Sequence, residues 1–197
     1  MALADRVGLL LGVDPGLANT GWALLDAGGT IVDSGTIRTR PGPTGPRLLH
    51  IVSELRGMLA AYPVREAALE ELFLGRNATS AVAVAQARGA VLTALSAAGI
   101  AVHEYKPSQV KSVLTGYGAA GKRQMTRMVA VQGRGGSARP PRMDDHAADA
   151  AAIAMCHARS RRLRQAVRAG AGGAPPAGRD GAGGAGGAPP TGRGGRA

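Results

Sequence analysis

LLLGVDPGLANTGWALLD, residues 9–26, is the stretch on which the fold turns. A continuous apolar run stops at Asp14, Pro15-Gly16 breaks it, and a second apolar run begins near Trp22. Short apolar runs bounded by turn residues read as buried strands. The pattern predicts strands over residues 8–14, 21–26 and 30–38, with a turn at 26–30. Three strands joined by such short links form an antiparallel meander. Asp14 then stands at the mouth of the first strand.

Working outward, Leu48, Leu49, Ile51, Val52, Leu55, Met58 and Leu59 recur at helical spacing, which predicts a helix over 46–61. A fourth strand is expected over 67–72. Residues 77–98 are Ala-rich and free of proline, a long helix that Gly99 ends well. A fifth strand over 100–105 follows, then short helices over 107–114 and 122–131. The last helix is expected from Asp144 to about Arg164, capped by Asp144 or Asp145. Strands that alternate with helices pair in parallel. The expected fold is α/β, a mixed five-stranded sheet flanked by helices.

Composition sets the partner class. The chain has 197 residues, 45% hydrophobic but only 3% aromatic, so Ala, Val and Leu must do the packing. Its net charge is +11 and its pI about 11.3, which points to a polyanion, most simply nucleic acid. No apolar stretch is long enough to span a bilayer, no basic-then-apolar leader opens the chain, and the single Cys156 fits a reducing compartment, so a cytoplasmic location without membrane partners is expected. Residues 161–197 hold seven arginines against one acid, Asp180, and become dominated by glycine, alanine and proline. Such a segment cannot offset its own ordering entropy. The expected division is a globular domain over 1–164 and a disordered basic tail over 165–197.

The acids at strand ends and helix starts form a constellation. Asp14 ends the first strand, Glu70 lies at or near the end of the fourth, and Asp145, His146 and Asp149 open the last helix. His146 and Asp149 are three apart and share a helix face. Ligand sites in open sheets form beyond the carboxyl ends of parallel strands. If strands one and four are neighbours, Asp14 and Glu70 meet there, and each raises the other's pKa. A divalent cation relieves that repulsion, and oxygen donors suit magnesium or manganese rather than zinc. Each residue alone has an ordinary reading: a turn acid, a strand-end charge, a helix cap, a surface histidine. Their coincidence in a strongly basic chain favours a site.

Four segments in register, LGVDPGLANTGWALLD, ALEELFLGRNATSAVAVAQARGA, YKPSQVKSVLTGYGAAGK and DDHAADAAAIAMCHA, resemble the RuvC family of bacterial Holliday-junction resolvases. The likeness runs from about Leu9 to Ala158. It implies an RNase H-like fold and a homodimer that binds a four-way DNA junction. It also implies symmetric paired nicks that leave ligatable ends, with preference for a short T-rich sequence. By position, the implied catalytic and metal-binding set is Asp14, Glu70, His146 and Asp149. Two Mg2+ ions per subunit are implied, replaceable by Mn2+, to activate water and stabilise the leaving oxygen. Phe73 and Arg76 fall where the family meets DNA near the crossover, and Lys111 and Lys122 where it meets phosphate backbone. RuvA and RuvB are the implied branch-migration partners. Many members carry Asp at the position of His146; imidazole is a poor magnesium ligand, which makes His146 either a proton shuttle or a weak second-site ligand, with Asp145 as a substitute. Two rivals are a phosphate-binding loop at DPGLANTG of the actin and sugar-kinase type, and a DNA-binding protein whose acids are structural.

Overall fold

The computed structural model describes residues 8–72, 78–134 and 143–171. Its elements in chain order are β1 (Leu9–Asp14), β2 (Asn19–Leu25), β3 (Ile31–Arg38), α1 (Thr44–Ala61), β4 (Val64–Glu70), α2 (Ala78–Ala97), β5 (Ala101–Tyr105), α3 (Pro107–Thr115), α4 (Lys122–Gln132) and α5 (Asp145–Ala171). The strands form one sheet in the order β3-β2-β1-β4-β5. The meander β1-β2-β3 is antiparallel, and β1-β4 and β4-β5 are parallel, as the helical crossovers require. Among the described residues, no helix is long and apolar enough to cross a membrane.

The period-2 alternation of the strands sorts the core into two layers. Leu11, Val13, Leu24, Ala67 and Leu69 face α1 and α2, packing on Ile51, Leu55, Val91 and Leu95. Leu10, Ala23, Leu25, Ala68 and Tyr105 face α5, with α3 and α4 closing the edge through Val110, Leu114, Met125 and Val129. The alanine-rich face of α5 (Ala147, Ala150, Ala151, Ala154) is fully or almost fully buried against that second face. Small residues allow a close approach. A Cβ at Gly12 would run into the Ala150 carbonyl, and one at Gly21 into the His146 carbonyl.

β2 and α1 each begin two residues before the expected positions, at Asn19 and Thr44, and two elements depart further. β4 starts at Val64 and stops at Glu70, earlier at both ends than the expected 67–72: its pairing with β1 begins at Val64 opposite Leu9, and beyond the last bond to β5, from the Glu71 amide to the Tyr105 carbonyl, Leu72 is exposed. α5 runs to Ala171 rather than ending near Arg164. Residues 160–169 are rich in arginine, leucine, glutamine and alanine, good helix formers without a breaker before Gly170. Arg159, Arg161 and Arg162 also tie the helix back to Gln132, Glu66 and the Ala27 carbonyl. The remainder of the expected tail, residues 172–197, lies outside the described residues.

Candidate active site

Strand register brings the first two acids together. Val13 pairs with Leu69 across β1 and β4. Asp14 and Glu70 are the next residues, leaving the carboxyl ends of neighbouring parallel strands about 4.8 Å apart. By alternation both lie on the face covered by α5. Glu70 is fixed from behind: Arg88 on α2, 9% exposed, donates to the Glu70 carbonyl at 2.6 Å and pairs with Glu104 on β5 at 2.6 Å.

The first turn of α5 supplies the other residues. Asp144, rather than Asp145, is its cap: the Ala147 amide donates to Asp144 Oδ1 at 3.0 Å. The Thr36 hydroxyl donates to the same oxygen at 2.6 Å, and Arg38 pairs with Oδ2. Asp144 therefore bolts the start of α5 to β3. With the His146 carbonyl seated on Gly21, the imidazole reaches the end of β1, where Nδ1 lies 3.4 Å from Asp14 Oδ2. That separation exceeds the 2.7–3.2 Å range of a strong hydrogen bond, roughly, so the pair is in weak contact.

A cleft of about 320 Å³ is lined by Asp14, Glu70, Asp149, Lys111 and Lys122 over an apolar floor that includes Val110 and Ile153. A second cleft, about 140 Å³, shares Asp14 and Glu70 and continues past Leu72 to Arg88. Asp14 and Glu70 thus form the wall between two depressions. His146 lies against Asp14 and outside the lining of the larger cleft. Asp145 is turned to Lys122, 3.0 Å away, and does not line either cleft.

The electrostatics fit an unsatisfied cluster of anions. Burial raises the Asp14 carboxyl above its ordinary range, only partly opposed by His146 and Lys122. Burial raises Glu70 as well, with the charges of Asp14 and Asp149 adding to it and Lys111 opposing. Asp149 is raised by burial and by Asp14, against Lys122. Lys122 is held above the usual lysine value by its bond to Asp145 and by Asp149, whose Oδ2 is 3.8 Å from Nζ. Three carboxylates from three elements each hold a proton more tightly than in water. A bound cation would remove that strain.

The structure brings together Asp14, Glu70, Asp149, His146, Lys111 and Lys122, all singled out in the sequence. Phe73 and Arg76 lie outside the described residues. The sequence reading missed Arg88, Asp144's link to β3, and the Thr36–Arg38 pair. Arg88 carried a signal, as the only charged residue of α2: a lone arginine in an apolar helix needs a partner. The β3 pair carried none, because its partner is distant in sequence.

The sequence model for "Crossover junction endodeoxyribonuclease RuvC" matches residues 10–157. A curated protein of that name from Chloroflexus aggregans is 48% identical over 152 residues, 75% of this chain and 91% of its own length. Another, from Heliobacterium modesticaldum, is 43% identical over 157 residues, 77% of this chain and 94% of its length. Among solved structures, Thermus thermophilus RuvC in complex with a Holliday junction substrate superposes with a TM-score of 0.70 at 34% identity, over 80% of this chain and 96% of that one. The yeast mitochondrial Holliday junction resolvase, at 14% identity and a TM-score of 0.59, shares the fold.

Proposed function

The chain belongs to the RuvC family of crossover junction endodeoxyribonucleases, and on that premise we propose that the Asp14–Glu70–Asp149 cleft is its nuclease centre. The chain is a Holliday-junction endonuclease of homologous recombination, with an RNase H-like fold. The observation that carries the site assignment is the meeting of three proton-hungry carboxylates with Lys111 and Lys122 in one cleft.

Nucleases of this family are metal-dependent. The donor set fits a hard divalent ion: the cleft offers carboxylate oxygens, and their mutual repulsion is unrelieved except by the two lysines and His146. Asp14, central to both clefts, would share such an ion with Glu70 on one side and Asp149 on the other, with His146 beside Asp14. We assign Mg2+ to this site, two ions per subunit, with Mn2+ as a replacement. When bound, the metal supplies Lewis acidity and a water of lowered pKa.

The chain's own groups do the rest. Lys111 and Lys122 offset phosphate charge entering the cleft. Lys122, 3.0 Å from Asp145 and 3.8 Å from Asp149, would be released toward the scissile strand were a metal to take over the charge of those acids. His146, 42% exposed at its side chain and weakly engaged, can take a proton from solvent-side water or pass one to it. Arg88 keeps Glu70 at the strand end, and Asp144 keeps His146 and Asp149 over it.

One carboxylate cluster per chain cuts one strand. Resolution needs two opposed cuts, so the working unit is a homodimer with two clefts that nick symmetrically. Phe73 and Arg76 meet DNA near the crossover in this reading, and the basic tail adds affinity that ignores sequence. RuvA and RuvB as partners, and a cytoplasmic location, complete it. The test is cleavage of a four-way junction against linear duplex, with magnesium and with chelator. Paired nicks in the junction alone, abolished by chelator, support the proposal. Junction binding without any metal-dependent cleavage would overturn it.

A further inference from the structure

The face that carries Glu70 also carries Glu66, two alternations further back on β4, and there a different group of ligand types gathers. Glu66 on β4, His103 on β5 and His157 on α5 each bring a donor atom to within 4.8 Å of the other two. Among the described residues this is the only such group of three His, Cys, Asp or Glu side chains. It lies about 13 Å along β4 from Glu70 and about 12 Å along α5 from Asp149, taking the rise per residue of strand and helix. It is separate from the nuclease cleft, whose lining includes none of the three. We propose that Glu66, His103 and His157 form a second metal site, selective for zinc or a similar borderline transition ion, that pins β4, β5 and α5 together.

The spacing suits such an ion. Tetrahedral zinc with bonds of about 2.0–2.1 Å sets its ligand atoms roughly 3.3 Å apart. His157 Nε2 is hydrogen-bonded to Glu66 Oε2 at 2.7 Å, and His103 Nε2 lies 3.8 Å from the same oxygen, so an ion would take the place of the proton now shared between His157 and Glu66. The imidazoles are stacked with centroids 4.4 Å apart, so a shared ion requires His103 to swing its ring. His103 is free to do so, being 40% exposed at its side chain, while His157 is fixed at 1%.

The surroundings have the form of an outer shell. Ligating histidines commonly bond a second group through the other ring nitrogen. His157 Nδ1 is 2.7 Å from the Tyr105 hydroxyl, itself approached by Arg164. Arg161 holds the other Glu66 oxygen at 3.3 Å, leaving Oε2 for the ion. Burial lowers the His157 pKa, which favours the neutral ring that a metal needs. Two imidazoles and one carboxylate suit zinc and not magnesium, so the two sites on this face divide metals by donor type.

Cobalt(II) is the probe, since four-coordinate cobalt absorbs strongly in the visible. The full chain, stripped with chelator and dialysed, is titrated with cobalt and then with zinc. The same is done for a D14N/D149N variant lacking the nuclease cluster, for H103N and E66Q, and for Y105F. The expected result is one cobalt band per chain, bleached by zinc, intact in D14N/D149N and absent in H103N and E66Q. Y105F should lower zinc affinity roughly 10- to 100-fold. Circular dichroism identifies any variant that has not folded, and either surviving ligand variant then decides. No band in the unaltered chain, a band that survives in folded H103N or E66Q, or a band lost in D14N/D149N would overturn the proposal. In the first case Glu66, His157 and Tyr105 are a proton-linked network only.

Discussion

His146 Nδ1 rests 3.4 Å from Asp14 Oδ2, so the first turn of the last helix closes over the end of the first strand. That contact joins segments at opposite ends of the folded region. It also defines what His146 can do. The ring touches one acid weakly and stands outside the main cleft. His146→Asp should keep magnesium-dependent cleavage, because it supplies an oxygen donor. His146→Ala should lose more activity in magnesium than in manganese, which accepts looser and nitrogen-containing shells. Equal loss in both metals would assign His146 to proton transfer instead.

Glu70→Gln should raise the metal-free melting temperature at neutral and alkaline pH. The Glu70 pKa is raised in the folded state by burial and by Asp14 and Asp149. Its contribution to stability is therefore full below its unfolded value, near 4.5, and is lost as pH rises through the folded value. Removing the charge removes that loss, so the gain should shrink toward pH 4–5, roughly where the unfolded carboxyl titrates. Magnesium should stabilise the unaltered chain more than the variant. Thermal scans across pH, with and without magnesium, read all three effects. A variant less stable at pH 8 would contradict the repulsive cluster.

Arg88→Met removes the donor that holds the Glu70 carbonyl and the partner of Glu104. The expected cost is about 1.5–3 kcal/mol, the worth of a hydrogen bond to a charged group. At temperatures well below melting, the single-turnover cleavage rate should fall while junction affinity holds, since Glu70 is displaced and the lysines are not. A lower melting temperature with an unchanged rate would make Arg88 a structural pin alone.

Lys122→Ala should act on both terms of the site. Losing a phosphate contact should flatten the salt dependence of junction binding by about 0.9 in slope per subunit. Losing the cation beside Asp145 and Asp149 should raise the Asp149 pKa further and move the onset of activity to higher pH. The pH–rate profile distinguishes this from a simple phosphate contact, which would leave the profile in place.

Much of this was legible in the chain, and the reasons are local. Continuous apolar runs ended by Pro-Gly or Ala-Gly-Gly mark β1, β2 and β3. That β1 and β4 are neighbours stands in the sequence only as a condition; the sheet order supplies it, and with it the meeting of Asp14 and Glu70. The residues that remained hidden act through contacts distant in sequence. Asp144 reaches Thr36 and Arg38 across the sheet, and Gly21 matters because the His146 carbonyl lies on it. The far end of α5 differs because residues 165–169, expected as the start of a disordered tail, are helix formers with no breaker before Gly170. The Glu66–His103–His157 group was invisible because its members fall on three elements.

Asp14 lines both clefts, and the proposed nuclease centre is built around it. Asp14→Asn keeps its size and removes its charge. The decisive measurement is single-turnover cleavage of a four-way junction in magnesium by the unaltered chain and by Asp14→Asn, with junction affinity measured alongside. The account predicts that cleavage falls to background while affinity stays equal or increases, because one negative charge has left the cleft that Lys111 and Lys122 line. Cleavage by Asp14→Asn at near the unaltered rate would contradict it.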